Sequence, residues 1–169
     1  MWRDVRDGAR GILFIEGAFP LAAHWYGIAR RSADEVGDQY LADIALAGSI
    51  YLPTCRSDLR AVLANVSSRL DASHAPSPAI AWLWGFRAKA HAVLGEAYAF
   101  QESIDRARQA LDRSAPELVR PGIFSFVPEK LAFYEARGWI ELNDDCCHES
   151  VRVRSSAGPV DLRIRWGLA

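Results

Sequence analysis

Apolar residues recur at steps of three and four along most of this chain, and that period predicts a run of amphipathic helices. The clearest case spans Ser77 to Arg113, two helical patterns joined at Leu94-Gly95, a junction short enough to require an antiparallel hairpin. In its second half Ala97, Phe100, Ile104, Ala107 and Leu111 form one stripe. In its first half Ile80, Leu83, Trp84, Ala88, Ala90 and Leu94 lie nearly all round the helix, so that helix must be covered on more than one side. Upstream, Val5, Ala9, Ile12 and Leu13 predict a helix over 4–16, with Gly17 as its cap. Trp25, Ile28, Ala29 and Val36 carry a second to Gly37. A third starts after Asp38 and is stopped by Pro53. The fourth is capped by Ser57 and buries Leu59, Val62, Leu63, Val66 and Leu70.

Downstream of the hairpin, Ser114–Pro128 holds three prolines and a glycine and reads as a long connection, packed through Ile123, Phe124 and Phe126. A helix resumes from Glu129 to Leu142, with Leu131, Tyr134, Gly138 and Leu142 near one face. Asp144-Asp145 would cap a last helix over Cys147 and Val151. Beyond Gly158-Pro159 the alternation of Val160, Leu162, Ile164 and Trp166 has a strand's period of two, and with Val151 and Val153 it gives a small C-terminal β-hairpin or an irregular tail.

Composition narrows the function classes. Twenty Lys and Arg against 21 Asp and Glu leave a net charge of −1, so no global field recruits nucleic acid or an anionic membrane. Hydrophobic residues make up 50% of 169 positions, ample for a one-domain core. Three cysteines, two of them adjacent, cannot build a disulfide framework and favour a reducing compartment. The first residues lack the apolar core of a signal peptide, and no stretch has the roughly 18 uninterrupted apolar residues of a membrane span. The expectation is a cytoplasmic protein that does not engage a membrane.

Spacing also repeats at longer range. Gly17, Ala22, Tyr26 and Ala29 lie five, four and three residues apart, and Gly95, Phe100, Ile104 and Ala107 repeat those steps 78 residues later, twice 39. Ala61, Asn65 and Ser68 keep the register midway. Recurrence at this length is the mark of stacked helix hairpins. Turn glycine, early small residue, then a large residue and Ala resemble the tetratricopeptide repeat, with Trp84 and Ala88 at its first-helix positions. These units are longer than the usual ~34 residues. The run AWLWGFRAKAHAVLGE, the helix AFQESIDRARQALDRS and the following PGIFSFVPEKLAFYEARG resemble the degenerate repeat regions of actinobacterial helix-turn-helix transcriptional regulators. The resemblance covers about residues 10–142 and fades after Asn143. It implies an all-α fold, a short right-handed solenoid of tetratricopeptide-like hairpins over 1–142 with a divergent or truncated cap over 143–169. No recognition-helix pattern precedes Arg10, so the chain reads as a repeat module without the regulators' DNA-binding domain.

Candidate chemistry is thin. Cys146-Cys147-His148 lacks the ligand spacing of a zinc site, and Cys55, His24, His74 and His91 are scattered over separate units, so no metal or cofactor is expected. His91, one turn after Arg87, reads as a packed histidine rather than a base. Arg152, Arg154, Arg163 and Arg165 make a locally basic tail, which reads as a solvated face rather than a nucleic-acid site. No paired carboxylates or phosphate loop point to an enzyme. The better candidate is a concave groove. In the tetratricopeptide register Trp82, Gly85, Lys89 and Ala92 share that side of one helix, and Lys130, Phe133, Arg137 and Ile140 share one face of the next. Trp82, Lys89, Lys130, Phe133 and Arg137 would then form a peptide-binding surface, cations holding carboxylates and rings taking apolar side chains. The alternative is that Trp82 and Phe133 are core. The expected function is non-enzymatic protein or peptide binding in transcriptional regulation, with a homodimerisation module as the competing reading.

Overall fold

The computed structural model describes residues 18–55, 58–71, 75–119, 122 and 125–152, with the side chains of 52–55 and 144–152 outside the description. Among the described residues the fold is all-helical: α1 (Phe19–Glu35), α2 (Gln39–Cys55), α3 (Leu59–Leu70), α4 (Pro78–Val93), α5 (Ala97–Asp112), a short 3₁₀ turn at Pro116–Leu118, and α6 (Pro128–Arg152). The helix expected over 4–16 and the period-two stretch at 160–166 lie outside these residues.

Local chemistry sets most boundaries. Asp38 caps α2, its Oδ1 accepting from the Leu41 N–H at 3.0 Å, and Ser77 caps α4 by accepting from the Ile80 N–H at 3.2 Å. Gly37 and Gly95 take positive φ of 69° and 76° in the two tight turns, a backbone region that L side chains resist. Three boundaries differ from expectation. The α3 cap is Asp58, whose Oδ1 accepts from Ala61 N–H at 3.0 Å, one residue after the predicted Ser57. Pro53 does not stop α2, which runs two residues further to Cys55. A proline in a last turn forfeits a single ladder bond, too little to end the helix at once. Asp144-Asp145 starts no new helix, because α6 passes through them unbroken to Arg152, and Val151 is helical rather than part of a β-hairpin.

The helices pack in sequence order with a second layer of contacts. Neighbours α1·α2, α2·α3, α3·α4, α4·α5 and α5·α6 touch, and so do α2·α4 and α4·α6. Helix α4 therefore meets four others, which is why its apolar residues run nearly all round: Ala79, Ile80, Trp82, Leu83, Phe86, Ala88, Ala90 and Ala92 are all buried. In α5 the buried set is Phe100, Ser103, Ile104, Ala107, Ala110 and Leu111, with the Ser103 hydroxyl bonded back to Ala99 O at 2.7 Å. Ala97 is exposed instead.

One packing device occurs twice. A Cβ on Gly48 of α2 would stand 2.5 Å from Tyr26 Cε1 of α1, and a Cβ on Gly138 of α6 would collide with the Phe100 ring of α5. In each case a ring from the preceding helix lies directly on glycine backbone, so two helices approach more closely than any side chain would allow. The notch at Gly48 explains why α1 buries Ala22, Tyr26 and Ala33, whereas Trp25 and Val36 of the expected stripe are 40% and 74% exposed. A second tie is polar. Asp43 of α2 and Arg69 of α3 form a two-pronged pair, with Nε–Oδ1 at 2.5 Å and Nη2–Oδ2 at 2.8 Å, and side-chain exposures of 5% and 12%.

Candidate functional site

The expected groove residues do not lie on one surface. Trp82 is 1% exposed at the heart of an aromatic cluster. Its ring stacks on Phe86 at 5.8 Å and on Phe126 at 6.2 Å, and Tyr51 meets it edge-on at 5.8 Å. The indole N–H donates to Tyr134 Oη at 3.3 Å. Gly85 and Ala92 are buried as well, so α4 presents no exposed aromatic face here, contrary to the sequence expectation. The cause is the long connection before α6, which lays Phe126 on Trp82.

Lys130 completes that lid. Its Nζ sits 3.9 Å from the centroid of the Trp82 ring and donates to Ser125 O at 3.1 Å. A cation over an indole face is attracted by the ring quadrupole, by on the order of 1–2 kcal/mol when desolvated. Lys130 is thus held inside the fold by Trp82, not offered to a carboxylate, and burial holds its pKa below the ordinary lysine value. Lys89 is half-buried on α4. Arg137 is exposed on α6 and donates from Nε to Glu141 Oε1 at 3.0 Å, one turn along the same helix. Of the five, Trp82 and Lys130 meet, while Phe133 and Arg137 share a different, outward face.

That outward face is where large apolar groups meet solvent. Phe133 is 66% exposed, Ile140 55% and Trp139 40%. Burial on α6 runs through Leu131, Gly138 and Leu142; Phe133 and Ile140, seven residues apart, face away from that side, and Trp139 flanks it. Trp139 was not singled out from sequence, where it looks like one more member of the polar side. Its ring is anchored at one edge on Phe100, centroids 5.1 Å apart at 84°, leaving the rest open. The signal that could have found it is the pairing of a bulky ring with the adjacent Gly138. Phe133 and Ile140 together expose on the order of 200 Å² of apolar area on one side of the helix, with Trp139 about a third of a turn round.

Other candidates resolve into structure. His91 is 9% exposed; Arg87 Nε donates to its Nε2 at 3.4 Å and Nδ1 faces Glu96 Oε2 at 2.5 Å, so a proton on Nδ1 satisfies both contacts and ties α4 to the turn after it. An open depression of about 520 Å³ runs along α5 past Tyr98, Glu102, Asp105 and Arg106, but all its described lining comes from that single helix. Among the described residues no three His, Cys, Asp or Glu converge as metal ligands, and the side chains of Cys146, Cys147 and His148 lie outside the description. No described helix is long and apolar enough to cross a membrane.

Comparison with protein-family models, with curated proteins and with solved structures finds no counterpart to the chain. Its own geometry must carry the functional reading.

The cluster around Trp82 makes a pH prediction. Burial raises the Tyr134 phenol well above its ordinary value of 10.0. A phenol whose folded pKa is raised contributes stability that is present below the unfolded value and lost as pH climbs above it. Lys130, shifted downward, acts oppositely, its penalty relieved as pH rises toward 10.5. The melting temperature should therefore fall as pH passes above about 10, the Tyr134 effect opposing that of Lys130. Tyr134→Phe should flatten the fall, measured as melting temperature against pH. An unchanged slope in that variant would mean that the phenol is not the group responsible.

Proposed function

We propose that the chain is a non-enzymatic, protein-binding helical repeat module, a short right-handed solenoid of tetratricopeptide-like hairpins working in the cytoplasm, with α6 as its docking face. The observation that carries the reading is the exposure of Phe133, Trp139 and Ile140 together on one helix. Phe133 and Ile140, two turns apart on one side of α6, with Trp139 about a third of a turn round and its ring pinned on Phe100, are large apolar anchors of the kind a partner helix or peptide needs. The contacts of α2 with α3 and α4, repeated by α4 with α5 and α6, are those of stacked hairpins and support the solenoid assignment. The sequence resemblance supports a place in transcriptional regulation, where occupancy of α6 would bias the state of a DNA-binding domain on the same or a partner chain.

The charge-capturing groove of Trp82 and Lys130 is not part of this proposal, since those two groups satisfy each other. The test is a photo-reactive phenylalanine analogue at position 133. It should crosslink one defined protein, which then binds the purified chain and loses at least tenfold in affinity to Ile140→Asp. Crosslinks spread over many proteins, or binding indifferent to Ile140→Asp, would overturn the reading.

A further inference from the structure

We draw no further inference here: the strongest candidate, the exposed apolar stripe of Leu21 and Trp25 on α1, carries nothing because nothing in the structure shows what covers it.

Discussion

Phe100→Ala is expected to destabilise the protein by about 3–5 kcal/mol, a fall in melting temperature on the order of 10 °C for a chain of this size. Phe100 is fully buried and its ring fills the notch at Gly138. Its removal loses both transfer energy and the contact that lets α5 and α6 approach. Gly138→Ala should cost about 1–3 kcal/mol for the opposite reason, since the new methyl collides with the ring. The informative measurement is the double variant in a denaturant melt. With the ring gone the methyl occupies part of the space that it vacated, so the double variant should be no less stable than Phe100→Ala alone. Costs that simply add would mean that Gly138 is required for its backbone and not for the room it gives Phe100.

The second large effect is at Asp43. Asp43→Ala removes the carboxylate that receives two bonds from Arg69 and leaves a guanidinium charge at 12% exposure, so a loss of about 3–5 kcal/mol is expected. Replacing both partners together, Asp43→Leu with Arg69→Met, should return most of that stability, because an apolar pair of similar volume has no buried charge to desolvate. Chemical denaturation of the three variants checks this. Little loss in Asp43→Ala would mean that water or another group reaches Arg69 freely.

How far the sequence carried these conclusions depends on the kind of interaction. Some boundaries written in local chemistry were legible: Asp38 caps its helix through its own side chain, and Gly95 makes the turn that the hairpin needs. The periodicity of α4 announced a helix covered on several sides, and it is. What failed was decided at long range. Trp25 and Tyr26 are adjacent and equally bulky, and only Gly48, on another helix, selects Tyr26 for the interior. Trp82 falls on an open groove only if its helix keeps the tetratricopeptide register. Phe126 and Lys130, more than forty residues on, close it. The outward face of α6 was half legible. Phe133, Arg137 and Ile140 shared a stripe on paper and share one in the fold, but nothing local showed that Lys130 had left it for an intramolecular partner.

The position of α4 also sets the order in which the chain comes together and apart. Its hairpin with α5 closes through three residues, so it can form before any distant segment is found. Each further helix then adds to a template that already exists, α3 and α2 on one side and α6 on the other. Unravelling runs the other way, from the ends inward. The face proposed to receive a partner belongs to one of the helices that loosen first, so anything that seats on α6 also acts as a clamp on the stack.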